Sequence, residues 1–440
     1  MIELDSENLT IVKTPEAART SLQVRLPKTL LAALCLAIFG VALRLWMPVG
    51  FHGRGFDEAL YQAYVNALDQ RGLWDYDTIT QEYLDNQRKE ASVCKLPPTR
   101  FLYVFAGWVW KHVEFGDAPA LDPRAPGSAE HDPALISLHR VACLFSILCF
   151  LLSGVIAWRM LGREAALVVL ALMAAAPLQL HMGGHALVDG FFAFWAMLVL
   201  WSLWENLQQP NHAGWLATLG LAMTAMVITK ENSFFVTVAV FGLLGINRWV
   251  RFGRTTRPLI IVSLLGPALG VAILAHLAGG VTTLVEVYRV LVSKAEHLDY
   301  AILTGDGPWH RYLIDEIIAN PIVLCLAIGA AFGLARKERP ILYFTAFVVF
   351  TYAVMCQVRH GMNLRYATIW DLPLCALAAA QLLDLSKLWM VPRKRFAALA
   401  ISVAIICGYD LWQYWLFFVK DRLYEIPTES LLHAVDILKS

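Results

Sequence analysis

The feature that most constrains this chain is a series of long apolar runs. The first opens at Lys28 and closes at Met47, enough to cross about 30 Å of hydrocarbon as a helix. Ten more follow, near 139–158, 165–181, 190–204, 214–229, 232–247, 258–278, 319–335, 340–357, 366–385 and 396–416. Backbone amides in lipid must bond within their own segment, so runs of this kind fold as helices. Of 440 residues 58% are hydrophobic and 16% charged, against about 25% charged in soluble domains. The expected class is all-α: a polytopic membrane protein whose eleven apolar runs are its transmembrane helices. A net charge of +1 argues against nucleic acid as a partner, because phosphate binding requires a basic excess. The eight cysteines lie mostly inside apolar runs and form neither a disulfide framework nor a metal spacing.

Basic residues orient the spans. Lys13, Arg19, Arg25 and Lys28 precede the first run, and Arg159 and Arg163 follow the second. Arg248, Arg251, Arg254 and Arg257 follow the sixth, Arg336, Lys337 and Arg339 the eighth, and Lys387, Arg393, Lys394 and Arg395 the tenth. These clusters all fall on one side, which the positive-inside rule places in the cytoplasm. The N-terminus is then cytoplasmic, the C-terminus external, and the first run a retained anchor helix. The stretch FLYVFAGWVWKHVEF at 101–115 carries Lys111 and His112 and is short for a span. It reads as an amphipathic helix in the outer interface. Two long external loops result, 48–138 and 279–318. The expected organisation is a cytoplasmic segment 1–27, one membrane domain 28–416 and an external tail 417–440. The cytoplasmic loops are short, and no Walker A or Rossmann glycine pattern occurs, so any chemistry faces away from nucleotides.

The first loop holds Asp57 and Glu58 at the start of an amphipathic segment, DEALYQAYVNALDQR, with Leu60, Tyr64, Ala67 and Leu68 on one face. Paired carboxylates there either complement the helix dipole or include a general base. Lys95 precedes Pro97-Pro98, which stop a helix and hold the lysine near the membrane surface. It either snorkels or meets a lipid phosphate. His181, His185 and Asp189 share a spacing compatible with zinc. Gly183-Gly184 interrupts that helix, which favours a polar cavity wall; no metal is assigned, and a divalent ion stays open. Lys230 and Glu231 interrupt an apolar stretch and either pair with each other or serve a site. Arg359, His360 and Arg365 give the outer side a basic excess that calls for a local anion, such as a lipid phosphate. Gly305-Asp306-Gly307-Pro308-Trp309-His310 marks a tight turn in the second loop.

In order, these residues make a pattern: Asp57, Glu58 and Tyr61; Lys95 with Pro97-Pro98; Arg140; His185 and Asp189; Thr229-Lys230; Pro308-Trp309 with Tyr312; and Arg365-Tyr366 with Pro373. The pattern resembles the GT-C glycosyltransferases, in the family of protein O-mannosyltransferases, the aminoarabinose transferase of lipid A and Rgt-type bacterial enzymes. It covers residues 28 to about 385. Cys94 stands where the family commonly has an acid, and Leu96 separates Lys95 from the prolines.

The resemblance implies an inverting transfer from a polyprenyl-phosphate sugar to a glycolipid, polysaccharide or protein acceptor at the outer face of a bacterial inner membrane. Asp57 would be the base, supported by Glu58. Lys95, Lys230, Arg365, Tyr366 and Arg140 would serve the lipid phosphate. Tyr61, His185, Asp189, Trp309 and His310 would shape the site or the acceptor side. The alternatives are a flippase for a lipid-linked glycan and a glycan ligase or polymerase.

Overall fold

The structure is a computed structural model that describes residues 28–47, 55–90, 94–118, 121, 131–298, 302, 305, 307–333, 338–358, 362–388 and 392–423. Lys13, Arg19, Arg25, Gly53, Arg54, Asp306, Arg336, Lys337, Arg359, His360 and the tail from 424 lie outside the described residues. Among the described residues every regular element is helical.

Each apolar run falls on a helix. Helix α1 (Lys28–Trp46) is followed by the helices of the first loop: α2 (Phe56–Arg71), α3 (Tyr76–Lys89) and α4 (Phe101–Phe115). Then come α5 (Pro133–Leu161), α6 (Arg163–Ala175), α7 (Pro177–Gly184), α8 (Val188–Gln208), α9 (Ala213–Val227), α10 (Ser233–Val250) and α11 (Arg257–Leu277). The second loop carries α12 (Val281–Ala295) and α13 (Arg311–Ala319), and the chain closes with α14 (Pro321–Phe332), α15 (Arg339–Met355), α16 (Asp371–Ser386) and α17 (Pro392–Tyr414). Among the described residues seven helical segments are long and apolar enough to cross a membrane, fewer than the eleven spans expected, because α9, α14 and α15 are apolar but shorter. Helices α6 and α7 pass the same test only as a pair, bent by 53° at the break between them. The bend has a local cause: the residue before a proline avoids the helical region, and Ala176 sits at φ −56°, ψ 116° before Pro177.

The loop helices are not independent of the bundle. Tyr61, Val65 and Leu68 of α2 and Tyr103 and Val104 of α4 form one apolar core with Leu135 and Leu138 of α5. Each such side chain contributes about 1.5–3 kcal/mol on burial. The buried face of α2 is Glu58, Tyr61, Gln62, Val65 and Leu68. The face expected from apolarity, Leu60, Tyr64, Ala67 and Leu68, is only partly covered except for Leu68. The helix is rolled by one residue because Glu58 and Tyr61 find polar partners inside. The two long loops also meet: Tyr83 and Leu84 of α3 pack on Val287 of α12, and Lys294 Nζ donates to the Glu90 carbonyl.

Basic turns gather at one end of the bundle. Arg159 pairs with Glu205 at 3.0 Å, the Arg254 amide donates to the Leu207 carbonyl, and Arg395 pairs with Glu164 at 3.3 Å. The first turn of α2, the start of α8, the α9–α10 turn and the residues before α16 converge at the opposite helix ends.

Candidate active site

Helix α2 starts with Gly55 as its N-cap, so Asp57 and Glu58 occupy its first turn. They go different ways. Asp57 is partly open, and its Oδ2 lies 3.0 Å from Nη1 of Arg365. Glu58 is fully buried and its two oxygens accept the amides of Gly55 and Ala186, both at 2.7 Å. His185 and His139 stand 3.4 and 3.6 Å from Glu58. Burial pushes the Glu58 carboxyl up, but the His185 hydrogen bond and charge, with His139 and the Gly55 amide, hold it below the usual range. Glu58 therefore ties α2 to the α7–α8 turn while Asp57 faces the site.

Arg365 sits in a 3-10 turn, Leu364–Trp370, opened by Asn363, whose side chain accepts the Arg365 amide at 3.0 Å. The next residue, Tyr366, places its ring 3.9 Å from Lys230 Nζ, a cation–π contact. Lys230 is 1% exposed and pairs with Asp189 in the first turn of α8. Burial lowers the Lys230 ammonium to about 8, with Asp189 acting in the other direction. Glu231 turns from Lys230 and meets Arg100, whose Nε donates to it at 3.1 Å. Arg100 Nη1 donates in turn to the Tyr61 hydroxyl at 2.5 Å. Burial would lower Arg100, yet Glu231 and Tyr61 raise it well above its ordinary value. Tyr61 stands one helical turn from Asp57, which closes the circuit. Three cations, Arg100, Lys230 and Arg365, thus alternate with three carboxylates, Asp57, Asp189 and Glu231.

Other nominated residues lie elsewhere. Lys95 Nζ pairs with Glu90 at 2.8 Å, and its amide donates to Gln87 at 3.3 Å. Leu96 packs onto the α2–α4 core, which turns Lys95 toward α3 and leaves Arg100 as the cation that enters the cluster. Arg140 is half exposed and pairs with Glu114; its neighbour His139 points to Glu58 instead. Trp309 and His310 stack edge to face at 5.4 Å, and the Trp309 carbonyl accepts the Tyr352 hydroxyl at 2.8 Å. Tyr312 is buried against Trp370. His181 stacks on Phe418 at 4.0 Å and meets the His185 ring edge to face at 4.7 Å, while His185 also faces Glu58 and Asp189 faces Lys230. Among the described residues no group of three or more His, Cys, Asp or Glu is placed to hold a metal ion.

Arg100 and His139 carried no motif of their own. A basic residue two positions beyond Pro97-Pro98 was the one available signal for Arg100.

A family model described as dolichyl-phosphate-mannose-protein mannosyltransferase matches residues 59–293. Among curated protein sequences none matches the chain. The fold is similar to ArnT from Cupriavidus metallidurans bound to undecaprenyl phosphate, at TM-score 0.52 and 16% identity over 86% of this chain and 62% of that one. It is also similar to the Archaeoglobus fulgidus oligosaccharyltransferase in complex with Zn and sulfate, at TM-score 0.56 and 14% identity, over 86% of this chain and 53% of that one. The chain spans less than two thirds of either structure, and what it shares with them is the GT-C membrane fold.

Proposed function

Because the chain belongs to the dolichyl-phosphate-mannose-protein mannosyltransferase family, we propose that it transfers a sugar from a polyprenyl-phosphate carrier to an acceptor hydroxyl, with inversion. The observation that carries this reading is the Asp57–Arg365 contact of 3.0 Å inside a cluster that also holds Lys230 and Arg100. The acceptor oxygen attacks the anomeric carbon and gives its proton to the Asp57 carboxylate. The bond from that carbon to the carrier phosphate breaks, and its electron pair stays on the phosphate. Charge grows on the leaving oxygen, so fixed cations there lower the barrier. Arg365 and Lys230 are the cations we assign to the phosphate, with Arg100 behind them. Arg365 would serve both halves of the reaction, because it holds Asp57 as an ionised base and faces the departing anion. Asp189, Glu231 and Tyr61 keep the three cations in place, while Glu58, His185 and His139 position the helix that presents Asp57.

The undecaprenyl phosphate named in the ArnT structure supports a lipid-phosphate carrier. A glycolipid or envelope polysaccharide is the favoured acceptor, at the external face of a bacterial inner membrane, with the basic turns on the cytoplasmic side. Residues 28–416 would form the catalytic membrane domain. Lys95 and Arg140, each in an ion pair away from the cluster, and Trp309 and His310 have no part in the transfer step. A flippase would concentrate its charged residues near the bilayer midplane; here they gather at helix ends, which favours an enzyme.

The test is transfer of radiolabelled sugar from a polyprenyl-phosphate donor in proteoliposomes. Asp57→Asn should lower the rate by about 10²–10⁴-fold, the scale of a lost general base, with insertion unchanged. Undiminished transfer in that variant removes Asp57 from the reaction.

A further inference from the structure

A cleft of about 600 Å³, away from the charged cluster, opens beside the 3-10 turn Leu73–Asp75 at the far end of α2. One wall is Trp74, 92% exposed and more open than any other large apolar side chain among the described residues. The Gly279-Gly280 turn lines the cleft as well, with the side chains of Leu277 and Val281. Gly279 and Gly280 carry φ of 81° and 137°, a region closed to most side chains, and a Cβ on Gly279 would stand 3.1 Å from that of Asp77. The exposed carboxylate of Asp77 and the exposed imidazole of His276 complete the cleft.

A tryptophan this open needs a partner, and charge decides which kind. An indole anchored in a lipid interface sits well among Lys and Arg. Trp74 is flanked instead by exposed Asp75 and Asp77, which an anionic headgroup layer repels. Arg71, three residues back, is paired with Glu82. A flat apolar ring beside carboxylates that accept hydroxyl hydrogens suits a sugar, whose C–H face stacks on the ring while its hydroxyls donate.

We propose that the cleft between Trp74 and the Gly279-Gly280 turn binds a distal sugar unit of an extended acceptor glycan. The word acceptor rests on the glycosyltransferase reading; the binding itself does not. The sixteen residues of α2 put the cleft about 24 Å from Asp57 at 1.5 Å per residue. A sugar held there is therefore not the reacting one. The acceptor must be long enough to reach both ends of α2, which selects a polymer over a monosaccharide-bearing lipid.

The experiment is a binding titration of the full chain in zwitterionic nanodiscs with fluorescent maltoheptaose, fluorescent chitotetraose and a Ser/Thr-rich peptide. At least one glycan should bind saturably. Trp74→Ala should weaken it about tenfold, the scale of one lost ring contact. Trp74→Phe should weaken it less. The proposal is overturned if neither glycan binds, if Trp74→Ala binds as wild type does, or if only the peptide binds. Quenching of the Trp74 emission by brominated lipid, read as the wild-type minus Trp74→Ala difference, would also overturn it and mark an anchor. Because the readout is binding, a failure here is separate from any failure of Asp57→Asn to lower transfer.

Discussion

At the converging helix ends, Asp57, Asp189 and Glu231 each face a cation: Arg365, Lys230 and Arg100. A second buried polar region lies near Cys375, where Glu316, Asp371 and Asp410 gather. There Asp371 accepts from Gln179 at 2.7 Å, while one oxygen of Glu316 and both of Asp410 have no hydrogen-bond partner among the described residues. The difference is chemical. A matched cluster can keep its charges, because each cation there faces a carboxylate. Unmatched acids cannot stay ionised in a low-dielectric interior at acceptable cost. Burial, with Asp371 and Asp315 nearby, pushes the Glu316 carboxyl well above the usual range. The first region can therefore present fixed cations to an anion, while in the second burial favours the neutral carboxyl of Glu316.

The comparison breaks most sharply at Asp189. Asp189→Asn strands Lys230 in the interior and should cost about 3–5 kcal/mol, the scale for halving a buried pair. Denaturation in mild detergent measures it. A loss near zero would mean that the cluster does not depend on matched charge.

Next in size is the choice between two basic residues on the same loop. Arg100→Gln should lower kcat by about 10²-fold, as for one lost electrostatic donor. Lys95→Gln, which removes a partly exposed pair with Glu90, should stay within about 1 kcal/mol. Reversed magnitudes would return the phosphate to Lys95.

A pH profile sharpens the same point. Lys230 is charged below about 8 and neutral above it, so a role for its charge requires activity to fall as pH rises. kcat/KM, which reports the free enzyme, should decline through a midpoint near that value. Lys230→Arg should move the decline to higher pH; an unchanged midpoint would assign it to another group.

The smallest effect belongs to the second region. Glu316→Gln replaces a carboxyl by its neutral isostere, so its cost should stay within about 1 kcal/mol. The sign follows from linkage. A raised folded pKa means that the unfolded chain ionises first, so wild type loses stability as pH climbs past 4.5, the ordinary glutamate value. The variant should match wild type in acid and gain on it toward neutrality. Thermal melts at both pH values measure this, and a variant much less stable at neutral pH would show that Glu316 is ionised.

Much of this organisation was legible along the chain. Apolar length predicted helices where helices occur, and Gly183-Gly184 marked the turn before α8, whereas the α6–α7 bend at Pro177 falls inside the run 165–181, which reads as one span. Asp57, Asp189, Lys230 and Arg365 stood out because charge is rare in these stretches. The roll of α2 was not legible, because Leu60 and Tyr64 look more apolar than Glu58. The amides of Gly55 and Ala186, with His185 and His139 beside them, make Glu58 the better inward residue. The sequence pattern points to Arg140, but its neighbour His139 is the residue that turns inward, since one residue is a rotation of about 100° on a helix.

The sequence alone determined the membrane class, the helical segments and the scarce charged residues available for chemistry, because hydrophobic length and period are local properties. The tertiary structure decided the partners. Asp57 meets Arg365 across 308 positions, Glu231 meets Arg100 across 131, and Glu58 meets Ala186 across 128. Such pairs form only when the loop helices dock on the bundle and low-dielectric packing makes each buried charge find its complement. That docking brought Arg100 rather than Lys95 to the site, and it opened the cleft at Trp74.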